Sequence, residues 1–260
     1  MRTSEPGRSV AGRVLSLLEA FETRGSALTL TQLAEAAGLP ASTAHRLVGE
    51  LVEWGALTRD EQGRYHVGMR LWELSQSADR RLRDTARPFL QDLFSLTGET
   101  AHLAVRVEND ALYVDRVYGS RRVPRASRIG GRLPLHATAV GKVLLAGEEP
   151  WFCDAYLARA LEAPTRRTHV DPAGLSSELR RIADAGHAIT AEEVRVGASS
   201  IAVPVVVGGV VVAAIGLVVG SHDSSRMTRH LPTLHGVADR VGTALSHLPA
   251  GYTRPAAHFR

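Results

Sequence analysis

Between Thr29 and Leu57 the chain reads TLTQLAEAAGLPASTAHRLVGELVEWGAL, and this stretch restricts the fold more than any other. Leu30, Leu33, Ala34 and Ala37 recur at i, i+3, i+4 and i+7, and Ala44, Leu47, Val48 and Leu51 repeat that spacing. Two short amphipathic helices are therefore predicted, each with one apolar stripe to bury. Gly38 can take the positive φ that closes the first helix, and Pro40 suits the first turn of the second, where its missing N–H is not needed. Two helices joined by so short a turn have the layout of a helix-turn-helix.

With its apolar stripe turned inward, the second helix shows Ser42, His45, Arg46 and Gly49 on its opposite face, with Thr43 at the flank. The face is small at its N-terminal end and basic one turn later. A recognition helix needs that order, because its first turn must approach base edges and phosphates closely. On this reading Ser42, Thr43 and His45 contact DNA alongside Arg46, which reaches a guanine edge or a phosphate. The alternative is an ordinary exposed face on a helical hairpin. Against it, Ala56–Arg59 and Arg64–Val67 read as two short strands around the polar turn Asp60–Gly63, which is the wing of a winged helix. Arg59 and Arg64 flank the tip, within reach of a DNA backbone or minor groove. Upstream, Val14, Leu17, Leu18 and Phe21 supply a third helical stripe, so residues 8–68 are expected to form one domain.

A chain of 260 residues has room for a second core beyond this one. Its net charge of +4 does not make the case for DNA, since residues 1–70 hold eight arginines and eight acids. Placement does, because Glu19, Glu22, Glu35 and Glu53 can lie away from the face that shows Arg46, Arg59 and Arg64. The single cysteine, Cys153, excludes an intramolecular disulfide and any multi-cysteine metal site, and it fits a reducing cytoplasm. The N-terminal MRTSEPGRS lacks the apolar run of a signal peptide. Ile201–Val219 carries no charge over nineteen residues, but Pro204 and Gly208-Gly209 interrupt it and its valines favour strands. It is read as a buried β-hairpin, with no membrane association expected.

Beyond the wing, Met69–Ala86 is predicted as a linker helix with Leu71, Trp72 and Leu74 as apolar contacts and a charged exit at Arg80, Arg81, Arg83 and Asp84. After Pro88 the pattern predicts a helix over 89–96, strands over 100–107 and 112–118, an arginine-rich loop and a helix over 138–146. Helices near 151–161 and 175–185, the hairpin and a terminal helix over 227–248 follow. That mixture points to an α+β domain, an antiparallel sheet covered by helices. The first seven residues and the tail GYTRPAAHFR are expected to be disordered. His136 and Lys142, the only lysine, lie six residues apart, yet no nucleophile motif or metal-ligand spacing accompanies them. Lys142 is expected to cap a carbonyl or pair a carboxylate at the domain surface, and Cys153 to pack. No cofactor, no metal and no enzymatic activity are expected. A domain that turns over its ligand, and a sequence-neutral nucleoid protein, remain the alternatives.

Taken together the residues resemble the IclR-type transcriptional regulators. The resemblance rests on LTLTQLAEAAGLPASTAHRLVGEL, RYHVG at the end of the wing, TGETAHLAV from Thr97, RIGGRLPLHATAVGKVLLA over Arg128–Ala146, TRRT over Thr165–Thr168 and EEVRVGASSIAVPV from Glu192. It implies a winged helix-turn-helix domain over 8–68, a linker helix over 69–86 and a GAF-like effector-binding domain over 87–250. It further implies homodimers, often paired into homotetramers, on palindromic double-stranded operators, with a metabolite setting operator affinity, commonly at a neighbouring catabolic operon. Whether such a protein represses or activates is not written in its sequence. The effector pocket implied by the family is lined here by Gly130, Leu133, Ala139, Val140, Thr190, Ser200, Gly216 and Val218. Glycines 130, 131 and 141 would let peptide groups grip an anion near the start of the helix at Thr138. The family's frequent acidic residue is Thr190 here, its usual cysteine is Ser200, and the serines of some members are Gly216 and Val218. Among organic acids this set turns away from small keto acids and toward a bulkier, more apolar or aromatic metabolite.

Overall fold

The computed structural model describes residues 9–77, 81–119 and 127–248, which fall into two compact units, Met1–Arg80 and Arg81–Arg260. The first unit holds α1 (Val10–Arg24), α2 (Leu30–Ala37), α3 (Ala41–Trp54), the hairpin of β1 (Leu57–Arg59) and β2 (Tyr65–Val67), and α4 (Met69–Ser77). Thr29 and Gln32 form a reciprocal capping box that starts α2. Gly38 closes that helix at φ +63°, a left-handed conformation that a side chain would strain, and Pro40 stands at the N-cap position of α3, one residue ahead of its first turn and without a side-chain cap. The predicted stripes form the core: Leu17, Leu33, Ala44, Leu47 and Leu57 are fully buried. Leu28 exchanges backbone hydrogen bonds with Tyr65 (3.0 and 2.7 Å), which ties the wing to the residues preceding α2.

The second unit is built on a six-stranded antiparallel sheet in the order β5-β4-β3-β8-β7-β6. Its strands are β3 (Thr100–Val107), β4 (Asp110–Val117), β5 (Arg132–Pro134), β6 (Ala188–Ala191), β7 (Ala198–Val207) and β8 (Val210–Gly220). One face packs on α5 (Arg81–Thr97) and α9 (Leu231–Ser246), with Leu90, Leu93, Leu103, Ile201, Ile215, Val237 and Val241 in the core between them. The other face carries α6 (Ala139–Ala146), α7 (Pro150–Leu157) and α8 (Pro172–Ala185), over a second core that includes Val140, Leu144, Leu175, Ala202 and Ala214. A sheet buried on both faces explains the uncharged run of β7 and β8, whose hairpin turns at Gly208 (φ +59°) and Gly209 (φ +80°). No helix among the described residues is long and apolar enough to cross a membrane.

Within the segment read as a linker helix, Met69–Ser77 and the residues from Arg81 are helical, and residues 78–80 lie outside the described residues. The structure departs from the sequence reading elsewhere. Helix α5 continues through Pro88, because burial of Ala86, Leu90 and Leu93 outweighs the backbone hydrogen bond that proline removes. The terminal helix begins at Leu231 with Pro232 in its first turn, after a 3-10 segment over Ser221–His230. Strands β5 and β6, three and four residues long, are not apparent from periodicity. The first seven residues, most of the arginine-rich loop and the tail lie outside the described residues.

Candidate DNA-binding surface and ligand cavity

Burial of Ala44, Leu47, Val48 and Leu51 turns the opposite face of α3 to solvent: Ser42, His45, Arg46 and Gly49 are exposed, and Thr43 is half-buried at the flank. Arg46 bonds Glu50 one turn on, an exposed pair of small energetic weight that a phosphate or base can displace. In the wing, Arg59 donates to the Gly63 carbonyl (3.4 Å) and lies over the Tyr65 ring (5.6 Å), while Arg64 pairs with Asp60 (3.0 Å). Asp60 also bonds His66 (2.9 Å); that bond and those from Arg64 hold its carboxyl at about 2. Both wing arginines are thus held in place, and both are exposed.

In the second unit, register aligns four neighbouring strands, from the edge strand β6 inward to β3. Thr190 on β6 pairs with Ser200 on β7, Ser200 with Val218 on β8, and Val218 with Thr100 on β3. These side chains form one row on the α6 face, roughly 14 Å across three inter-strand spacings. They floor a cavity of about 560 Å³, counting its open mouth, which Leu133, Tyr113, Thr138 and the segment Glu193–Arg195 wall. The Thr190 and Ser200 hydroxyls bond each other at one end (2.6 Å). Toward β4, His102 bonds Ser127 (3.1 Å) and Arg116 donates to the Ser127 carbonyl (3.1 Å).

Burial, with Arg116 beside it, pulls the His102 imidazole down to about 3, so the ring is neutral at physiological pH. Tyr113 stands edge-on to it, ring centres 5.2 Å apart, and burial raises that phenol. Glu193, the one acid among the described lining residues, is paired from behind by Lys142, whose ammonium is fully buried and is shared between Glu193 (2.9 and 3.0 Å) and Glu178 (2.7 Å). Thr165 and Thr168 hold the same segment through the Glu192 and Glu193 carbonyls (2.8 and 2.6 Å), which gives TRRT its structural meaning. His169, Glu178 and Glu193 are the one cluster with metal-ligand spacing among the described residues, and the Lys142 ammonium lies against both carboxylates. Arg116 and Arg195 also line the cavity, and the single Lys142 charge is shared between Glu193 and Glu178.

Of the residues singled out from sequence for the pocket, Leu133, Thr190, Ser200 and Val218 line the cavity. Ala139, Val140 and Gly216 do not: a Cβ on Gly216 would stand 2.9 Å from Val140 Cγ1, so the glycine admits α6 to the sheet, not a ligand. Gly141 likewise admits the Leu135 carbonyl, which a Cβ would meet at 2.4 Å. Gly130 turns the chain at φ +79° and donates to the Tyr113 carbonyl (2.8 Å). Lys142 pairs carboxylates as expected, but in the interior and not at the surface. His102, Tyr113 and Arg116 were not apparent, because only strand register turns them toward the cavity.

A winged helix with an exposed small-then-basic face, in one chain with a domain that opens a polar-and-apolar cavity over its sheet, defines a class: transcription regulators that read DNA with one domain and sense a small molecule with another. Residues 10–61 match the IclR helix-turn-helix domain, and residues 76–246 match the C-terminal domain of bacterial IclR transcriptional regulators. The chain belongs to the IclR family. It is 34% identical over 203 residues to the HTH-type transcriptional regulator XynR of Escherichia coli, covering 74% of this chain and 78% of that protein. It is 32% identical over 191 residues to the transcriptional repressor IclR of the same organism, covering 71% and 70%. Among solved structures, an IclR homolog from Microbacterium hydrocarbonoxydans complexed with 4-hydroxybenzoate is 33% identical, with a TM-score of 0.85 over 91% of this chain and 99% of that one.

Proposed function

We propose that the protein binds a specific operator through Ser42, Thr43, His45 and Arg46 on α3 and Arg59 and Arg64 on the wing, and that a small aromatic acid in the cavity sets its operator affinity. The observation that carries the second half is the polarity of the cavity. It has Arg116, His102 and Ser127 toward the β4–β3 side, with Tyr113 and Leu133 as the wall there, Thr190 and Ser200 toward the β6–β7 side, with Glu193 and Arg195 in the wall, and Val218 of β8 between. A flat apolar body with a carboxylate at one end and a second polar group at the other matches that order. The 4-hydroxybenzoate held by the Microbacterium homolog has those features. Leu133, Thr190, Ser200 and Val218 are the residues of the sequence reading that we retain in the effector site; Gly130, Ala139, Val140 and Gly216 support it from the turn and from the core.

In this reading residues 8–68 are the DNA-binding domain, 69–86 link it, and 87–250 bind the effector. The chain acts in the cytoplasm as a regulator and not an enzyme, in line with the roles of its relatives. It works as a homodimer that can pair into a homotetramer.

The test combines selection of bound genomic fragments by the purified protein with calorimetric titration of benzoate, 4-hydroxybenzoate and pyruvate. The proposal predicts an enriched palindromic site, binding of a benzoate in preference to pyruvate, and an altered operator affinity when that benzoate is present. Recovery of fragments without a common site, or conversion of the benzoate to product, contradicts it.

A further inference from the structure

Strand β4 carries a bulge whose consequence lies on both faces of the sheet. Leu103 pairs with Asp115 and Ala104 with Tyr113, so Val114 is an extra residue without a partner on β3. In a regular strand, residues 113 and 115 would share a face, and residue 116 would lie opposite. The bulge reverses this. Tyr113 and Arg116 both line the cavity, while Val114 and Asp115 both turn to α5.

Asp115 is wholly buried there. It accepts two hydrogen bonds from Arg87 (2.8 and 3.0 Å), lies 3.9 Å from the Arg83 guanidinium, and also accepts the backbone N–H of Arg116 (2.8 Å). Arg83 and Arg87 stand one turn apart on α5, just before Pro88. A proline inside a helix leaves one backbone bond unmade and makes that position the place where the helix bends. Beyond it Leu90 and Leu93 are locked in the core. The first turns of α5, which follow in the chain directly from the DNA-binding unit and residues 78–80, are thus held by the packing of Leu82 and Ala86 and, through Arg83 and Arg87, by one buried carboxylate on β4.

We infer that the bulge is the output of the cavity: a ligand that draws on Arg116 shifts Asp115 on the opposite face, and Asp115, through Arg83 and Arg87, moves the segment of α5 before Pro88. The inference rests on the reading of the cavity as the effector site. Asp115 acts as a positioning residue and touches no ligand. Coupling of this kind is a free energy shared by two binding events, so it must be reciprocal.

The experiment uses the full-length protein, 4-hydroxybenzoate as probe and the operator recovered by selection. Calorimetry reads probe binding and fluorescence anisotropy reads operator binding, each with and without the other ligand. In Asp115→Asn, probe affinity is expected to stay within about threefold of wild type, while the probe-dependent change in operator affinity and the operator-dependent change in probe affinity both fall at least fivefold. Arg87→Gln, at a partly exposed position, is expected to do the same and serves if the buried substitution impairs folding. Wild-type coupling in the variants overturns the relay and leaves the cavity reading standing. Failure of the wild type to bind the probe, seen directly by calorimetry, removes the cavity reading and the relay with it.

Discussion

The Lys142 ammonium donates to both carboxylate oxygens of Glu193, at 2.9 and 3.0 Å, with no exposure to solvent. Through that pair α6 is fastened to the Glu192–Glu193 segment that walls the cavity. Removing one member of a buried pair strands the other charge, which typically costs about 3 to 5 kcal/mol. Lys142→Met is therefore expected to lower the urea unfolding free energy by that amount, and Lys142→Met with Glu178→Gln and Glu193→Gln to recover part of it. A loss below about 1 kcal/mol in the single variant would mean the pair is not holding the segment.

His102 makes stability depend on pH. Its folded value near 3 lies below the ordinary 6.5, so the unfolded chain takes up a proton first as pH falls. The contribution of the neutral ring is complete above about 6.5 and declines as pH falls toward 3. Between pH 7 and 5 the loss from this group is about 2 kcal/mol. Measured by urea unfolding, wild type should lose more stability over that interval than His102→Asn. Equal losses would show that the imidazole is protonated in the folded state.

Gly216 and Val140 meet where α6 crosses the sheet. The missing Cβ would lie 2.9 Å from Val140 Cγ1, 3.1 Å from the Ile201 carbonyl and 3.2 Å from Ala202 Cβ. Gly216→Ala should destabilise by about 1 to 3 kcal/mol, as overpacking does. Val140→Ala in the same chain should relieve part of that cost, a positive coupling in a double-mutant cycle. Simple additivity would place the clash elsewhere.

On the DNA side, Arg46→Ala is expected to weaken operator binding by about 1 to 3 kcal/mol if the side chain reads a base, and to relax the preference at one position of each half-site. Arg59→Ala and Arg64→Ala should instead weaken all sequences alike and reduce the salt dependence by about one counterion each. Anisotropy titrations over a range of salt separate the two behaviours. An Arg46 variant with unchanged affinity would remove that residue from the reading surface.

The DNA-binding unit was legible because its determinants are local. The two apolar stripes, the αL glycine at Gly38 and the turn of the wing each follow from residues within a few positions of one another. The hairpin at Gly208-Gly209 was legible for the same reason. Half of the cavity was not, because Arg116 reaches it only through a bulge at Val114, and a bulge depends on the partner strand. Lys142 looked like a surface residue for a related reason: the carboxylates that make its burial tolerable lie 36 and 51 positions away. Pro88 misled in the opposite sense, as local chemistry argued for a helix start where tertiary burial carries the helix through.

The most direct test of the whole account is operator anisotropy with the purified protein, titrated with 4-hydroxybenzoate, for wild type and Arg116→Gln side by side. The account predicts that the probe changes wild-type operator affinity severalfold, and that Arg116→Gln binds the operator normally in its absence but needs at least tenfold more probe for the same change. An Arg116→Gln protein that responds at wild-type probe concentrations would contradict it.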